Sequence, residues 1–392
     1  MEKIVDRKDC CGCAACSAIC SHQAISMTEG VGGFLYPSIN QNVCVNCGLC
    51  KTVCPIVKRD SDDYTVENQE YYACHNNDNA EWKSSSSGGI FRIIADYVIQ
   101  QGGYVVGAIY DETFVVRHFI TNKKEDLERF RGSKYVQSDT RAIFKEVKEA
   151  LKSGIPVLFT GTPCQVEAIK SFLRKPYENL LTCDIICTSV PSPLAFRDYI
   201  SFLGKKYCSK VVKVNMKDKT KGWPYAKTRI YFENGKSIFD NIDADLWIKA
   251  WSSELMNRPG CEHCRFTNYN RPGDITIGDC WPVFHKKNAF SSPNGISQLM
   301  INTVKGHQIF EAIKGKMTLK PITKEYAWQS KLEYPIVNNP LSADFWRDYE
   351  ELGFERVARK YWDYSLLKYY KRRYLRRLLG IPSLIVHKIL KK

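Results

Sequence analysis

The chain of 392 residues contains no run of ~18 apolar residues, so no membrane-crossing helix is expected. Its first twenty residues hold five cysteines and no apolar stretch of the kind a secretion leader needs, so it reads as a cytoplasmic protein. Acidic residues are the minority charge, 42 against 57 Lys and Arg, which leaves a net charge of +15. The excess is uneven: the last 32 residues carry nine Lys and Arg against one Asp, or +8 of the total. No nucleic-acid-binding motif accompanies it, and no nucleic-acid partner is expected. With 44% apolar and 25% charged residues the chain can bury a core, which excludes disorder as its main state. Its length suits two or three domains.

Cysteine is abundant instead, at 17 residues. An odd count without a secretion leader argues against a disulfide scaffold, and clustered cytosolic thiols more often bind metal. Cys10, Cys13, Cys16 and Cys20 read C-x2-C-x2-C-x3-C. Cys44, Cys47, Cys50 and Cys54 repeat the pattern 34 residues later, followed by Pro55. Thiolates at these offsets hold three corners of a cubane from one tight loop, while the fourth ligates the other cluster. Cys10, Cys13, Cys16 and Cys54 are therefore assigned to one [4Fe-4S] cluster, and Cys44, Cys47, Cys50 and Cys20 to a second. Gly12 and Gly48 suit loops whose backbone passes close to a cluster. Zinc modules separate their ligand pairs by long spacers, which these runs lack. Cys11 adjoins Cys10 and is a rival first ligand, but Cys10 keeps the spacing regular. The segment 5–58 resembles the bacterial two-cluster ferredoxins.

Residues 59–70 are polar, aperiodic and read as a linker. Beyond them, strand and helix patterns alternate: a strand at YYACHN, a helix after Ser84–Gly89, two strands over 104–121, a helix near 141–154, a strand into Gly161, and another helix and strand to Cys187. A hairpin turns at Asn234-Gly235. The expected class is α+β or mixed α/β: a ferredoxin-like domain at 1–58, the linker at 59–70, a mixed α/β domain at 71–340 and a basic helical tail at 341–392. Ser86, Ser87, Gly88 and Gly89 open a helix and suit an anion or a plain cap. Cys164, Cys187, Cys261 and Cys264 fall at strand ends and in a C-x2-C turn, where an open α/β sheet gathers ligands. They are proposed ligands of a third [4Fe-4S] cluster, with Cys183 and Cys280 in reserve; buried free cysteines and a zinc site are the alternatives.

The blocks Ser85–Gly89, Gly132–Ser138, Gly161–Gln165, Cys187 with Val190–Pro193, Arg258–Cys264 and Gly273–Trp281 resemble the family formed by the beta subunits of coenzyme F-420 hydrogenases and dehydrogenases. The resemblance covers residues 5 to about 330. It implies FAD, an iron–sulfur cluster beside it, and two-electron chemistry at the flavin. On that footing Ser86, Ser87, Gly88, Gly89, Ser133, Lys134 and Thr162 are candidate flavin contacts, with Lys134 suited to the diphosphate or the flavin ring; a solvated lysine is its plain alternative. Where family members continue His-Gly after this cysteine, the chain has Thr188-Ser189, which leaves the proton donor open. His263 and His285 are the nearby histidines.

The expected function is an iron–sulfur flavoprotein oxidoreductase, with a ferredoxin or reductase as electron partner and a small-molecule substrate. The alternative is a non-catalytic subunit relaying electrons to an enzyme. The tail from Tyr361 interleaves basic residues with Leu366, Leu367, Tyr370, Tyr374, Leu375 and Leu378, which suits peripheral contact with the inner face of a membrane or a protein partner.

Overall fold

The computed structural model describes residues 3–61, 68–285, 290–337 and 339–365, with residues 367, 369 and 374 beyond them. The strands are β1 (Ile25–Glu29), β2 (Leu35–Ile39), β3 (Glu70–Asn76), β4 (Tyr104–Tyr110), β5 (Val116–Thr121), β6 (Val157–Gly161), β7 (Leu180–Ile185), β8 (Val211–Asp218), β9 (Lys227–Phe232), β10 (Ser237–Phe239), β11 (Ile275–Asp279), β12 (Ser297–Ile301) and β13 (Met317–Pro321). The fold is mixed α/β, as expected.

β1 and β2 form the hairpin of the N-terminal head. Short helices at Ala15–Ile19, Leu49–Thr52 and Pro55–Ser61 follow its two cysteine loops. The head rests on the large domain, whose eight strands run in the order β13-β3-β12-β11-β7-β6-β4-β5. The pairs β4–β6, β6–β7 and β7–β11 are parallel. Parallel strands need cover on both faces, and the alternation of side chains supplies it. Val105, Leu158 and Leu181 pack with Ile90, Ile94 and Val98 of the helix Ile90–Gln100. Their neighbours Val106, Phe159 and Leu180 pack on the opposite face with Phe144, Val147, Ile169 and Phe172 of the helices Ile143–Lys152 and Pro163–Leu173.

A smaller antiparallel sheet, β10-β9-β8, carries the hairpin at Asn234-Gly235. It shares a core with the helices Pro193–Tyr207, Ile242–Ser252 and Ser342–Tyr361, centred on Phe196, Tyr199, Trp247, Phe345 and Trp362. The stretch 342–364, placed in a separate tail by its sequence, therefore packs as part of the large domain: Phe345, Tyr349, Phe354, Val357, Trp362 and Tyr364 are all buried there. The basic amphipathic segment that follows lies almost wholly outside the described residues. So does 62–67 of the expected linker; residues 59–61 close the helix Pro55–Ser61. Among the described residues no helix is long and apolar enough to cross a membrane.

Candidate functional site

The C-terminal ends of neighbouring parallel strands set the geometry. β6 ends at Gly161, and Thr162 caps the following helix through a reciprocal box with Gln165. Cys164 is thus in the first turn of that helix rather than in a free loop, and Thr162 Oγ1 lies 3.2 Å from its Sγ. This places Thr162 beside a cysteine of the proposed third cluster. β7 ends at Ile185, two residues before Cys187. Cys261 and Cys264 arrive from a distant turn. Arg258 N–H bonds Val190 O at 3.0 Å, and the buried Arg271 pairs with the buried Asp184 at 2.7 Å. Arg271 also donates to Phe266 O and Ile185 O, so one guanidinium ties the C-x2-C turn to the end of β7.

The four thiols converge: Cys187 has Cys261, Cys164 and Cys264 as its electrostatic neighbours. Burial, reinforced by those neighbours, pushes Cys261 up to about 12. Burial also raises Cys187 well above the ordinary thiol range. Cys183 faces the sheet core with Leu181 and Ile275, and Cys280 packs with Ala73, Val283 and Ile296. These two are core cysteines apart from the set.

In the head, Cys10, Cys13, Cys16 and Cys54 are all buried and line one cavity. Burial, then the neighbouring Cys10 and Cys54, pushes Cys16 up to about 12. Cys50 neighbours Cys47 and Cys44, while Cys20 packs with Cys16, Cys50 and Cys54. Cys10, Cys13, Cys16 and Cys54 thus lie together on the buried side of the head, while of the other four Cys47 is exposed, Cys20 and Cys44 are half-buried and Cys50 is buried. Among the described residues no three or more His, Cys, Asp or Glu close round a single ion. Cys11, the rival ligand, reaches both Cys13 and Cys164, so it stands between the inner set of the head and the strand-end set.

Residues with no role assigned from sequence hold the head in place. Gln137 Nε2 donates to Cys11 O at 2.9 Å, Thr140 Oγ1 to Cys13 O at 2.7 Å, and Ser192 Oγ to Gly32 O at 2.6 Å. Arg258, 1% exposed, donates from Nε to Cys10 O at 2.5 Å. The approach is tight. Gly12 has φ +69°, and a Cβ there would collide with the Arg258 guanidinium; a Cβ on Gly260 would meet Cys10 O at 2.8 Å. Gln137 and Arg258 both lie in blocks singled out by sequence, but nothing local told that they face the head.

The two candidate flavin loops also meet. Ser133 N–H reaches Ser86 Oγ at 3.3 Å. Ser87 Oγ donates to Ile296 O and Gly88 N–H to Ser297 Oγ, both at 2.9 Å, so this part of the loop is tied to β12. Gly89 is the left-handed N-cap of Ile90–Gln100. Lys134 is neither solvated nor turned outward: its ammonium donates to the carbonyls of Arg129, Phe130 and Arg131 at 2.8–3.2 Å, closing the helix Leu127–Phe130. Burial drags it down to about 7. Other cations gather at these loops. Lys219 Nζ donates to Trp82 O and Ser87 O. Burial, then the like charge of Lys217, lowers it to about 7, with Arg131 adding to the effect. Lys217 pairs with Asp279 at the end of β11, and Arg131 with Glu81 at 2.6 Å. Tyr135, stacked on Trp251, lies beside Lys217 and Asp279. His263 Nδ1 is 3.2 Å from Asp9 Oδ1; the side chain of His285 is outside the described residues. His118, not singled out by sequence, is buried between Ser138 Oγ and Thr160 O and driven down to about 4, a neutral structural histidine.

Two family models match the chain. Residues 156–325 match the family model for the C terminus of the coenzyme F-420 hydrogenase/dehydrogenase beta subunit. Residues 9–57 match the 4Fe-4S dicluster domain. The chain is 21% identical over 331 residues to a subunit of the F(420)H(2) dehydrogenase of Methanosarcina mazei, covering 81% of this chain and 86% of that protein. It is 24% identical over 383 residues to coenzyme F-420-dependent sulfite reductase of Methanocaldococcus jannaschii, covering 90% of this chain but only 55% of that longer protein. A chain of the F-420-reducing [NiFe] hydrogenase complex from Methanosarcina barkeri aligns at a TM-score of 0.46 and 22% identity, over 69% of this chain and 89% of that one.

Proposed function

We propose, from the premise that residues 9–57 belong to the 4Fe-4S dicluster domain and residues 156–325 to the family of coenzyme F-420 hydrogenase/dehydrogenase beta subunits, that this chain is an iron–sulfur flavoprotein oxidoreductase. The outer thiols Cys20, Cys44, Cys47 and Cys50 would hold one cluster, the inner thiols Cys10, Cys13, Cys16 and Cys54 a second, and Cys164, Cys187, Cys261 and Cys264 a third. Such clusters would supply one-electron transfer between a partner at the head and the large domain. FAD, when bound, supplies an acceptor that takes two electrons singly and exchanges them as a pair with an organic substrate. The observation that carries this reading is the convergence of four cysteines, up to 100 residues apart in sequence, beside the inner thiols of the head.

The flavin part rests on the cationic edge at the candidate loops. Lys219 is half-buried and is lowered first by desolvation, then by Lys217, with Asp279 opposing and Arg131 adding to the effect, a cation that an anionic diphosphate would favour. Ser86, Ser133, Arg131 and Lys219 would hold it; Lys134 donates to three carbonyls as Lys219 does, but it is buried where Lys219 is half-exposed, and would shape the loop rather than touch the cofactor. The names of the relatives make a deazaflavin coenzyme the first substrate to try. The test is anaerobic purification of the full chain with iron, sulfide and flavin measured on one sample. About twelve iron atoms and one FAD are expected from three clusters. About eight iron atoms without flavin would remove the third cluster and the catalytic domain as described. Twelve without flavin would favour a relay role.

A further inference from the structure

Two arginines beside the strand-end thiols are almost fully buried, and they differ in one respect. Arg271 has a carboxylate, Asp184, as its counter-charge. Arg258, 1% exposed, has only neutral partners: Cys10 O at 2.5 Å, Gln137 Oε1 at 2.8 Å and Leu35 O at 2.9 Å. Its guanidinium lies 4.4 Å from the Tyr36 ring centre and 5.4 Å from that of Phe34. Among the described residues no carboxylate forms an ion pair with it. Carbonyls and rings satisfy its N–H groups without neutralising its charge, and a buried unpaired charge is costly. It touches the inner set through the Cys10 carbonyl, and its charge acts to lower the Cys164 and Cys261 thiols of the strand-end set.

We propose that Arg258 is the shared counter-cation of the inner head cluster and the strand-end cluster, and that it raises the reduction potential of both together. This rests on the three-cluster reading above. The electrostatics follow directly. Reduction of either cluster adds one electron, hence one negative charge, without a proton. A fixed cation close to both stabilises each reduced form, and more strongly because water is excluded. Both potentials are thereby raised, each according to its distance from the charge. Arginine is the residue that can do this. A buried lysine without a counter-charge loses its proton more readily, and burial lowers Lys134 and Lys219 to about 7, whereas guanidinium keeps its charge. Arg258 is a positioning and tuning residue, since it touches no substrate.

The test is an EPR-monitored reductive titration of the full chain, purified anaerobically, with dithionite and mediators as the electron source. Wild type is first shown to hold about twelve iron atoms; a lower count would indict the three-cluster reading, not this one. Arg258→Gln is expected to lower two of the three midpoint potentials, each by a tenfold or greater change in the reduction equilibrium, about 59 mV for a one-electron couple. The third, from the outer set, stays in place as an internal control. Arg258→Lys falls between. Gln137→Glu is the second variant. It sets a carboxylate against the guanidinium without removing it and should lower the same two potentials. Unmoved potentials in variants with full iron would overturn the proposal. A uniform shift of all three, or loss of inner iron from both Arg258→Gln and Gln137→Glu, would reduce Arg258 to a structural clamp and overturn it equally.

Discussion

The two cysteine loops of the head share one spacing and end in opposite surroundings. The loop from Cys10 faces the large domain, and its three thiols are buried with Cys54. The loop from Cys44 is more open: Cys47 is exposed and Cys44 half-buried, and of its three thiols only Cys50 is buried. Ligand spacing alone would make the two clusters equivalent. Packing leaves an exposed thiol in one loop and buries all three thiols of the other. Cluster potential responds to exposure and hydrogen bonding, so a repeated motif can supply two different electron sites without altering the ligand pattern.

The contrast breaks most severely where the inner end is braced. Asp184→Ala strands the buried Arg271 guanidinium and should cost ~3–5 kcal/mol, read by anaerobic chemical denaturation. It should also release the turn bearing Cys261 and Cys264, so strand-end iron falls while head iron remains. Gly12→Ala attacks the docking itself. The left-handed φ of +69° alone costs roughly 1–2 kcal/mol in an L-residue, and the new methyl meets Arg258. Faster proteolysis between head and large domain would check it, whereas Gly48→Ala, with open space around its Cβ position, should show the backbone cost alone.

Iron removal sharpens the same contrast at smaller cost to the fold. Under a chelator with limited air, iron should leave in two phases, with about four of twelve atoms lost first from the exposed set. Cys47→Ser should abolish the fast phase with little change in stability; a single phase would remove the distinction. The flavin end answers to pH. Lys219 is held near 7 by burial and like charges, so binding an anion should raise it and draw in a proton. FAD or ADP affinity should therefore strengthen as pH falls from about 8 to about 6, by at most tenfold per unit. Calorimetry in buffers of different ionisation heat checks this, and Lys219→Met should flatten the profile. The smallest effect belongs to Cys11→Ser, which should keep all the iron, whereas Cys10→Ser should lose the inner cluster.

Much of this was legible in advance, and the reason is locality. A thiolate loop around a cubane needs only nearby residues, so C-x2-C-x2-C-x3-C announces itself. Helices such as Ile143–Lys152 showed through their apolar spacing for the same reason. Lys134 was misleading because a basic residue in a loop looks the same whether it meets a phosphate or turns back on three carbonyls. The chain from 342 to 364 looked like part of a tail because the basic run after it dominates the composition, while its aromatic residues complete a core begun by residues far upstream.

Sequence by itself determined the repeated cysteine spacing of a 4Fe-4S dicluster domain, the mixed α/β class and the family blocks. Only the tertiary structure decided which cysteines outside the head converge. Cys164 and Cys187 meet because β6 and β7 run parallel in register, Gly161 beside Asp184. Cys261 and Cys264 join them through Arg271 and Asp184, 87 positions apart. The same tertiary packing buried Arg258 against Cys10 and turned one copy of a repeat inward. The physical reason is range: spacing along the chain governs what a few turns of backbone can reach, whereas burial, counter-charge and exposure belong to surfaces that exist only after distant segments have packed.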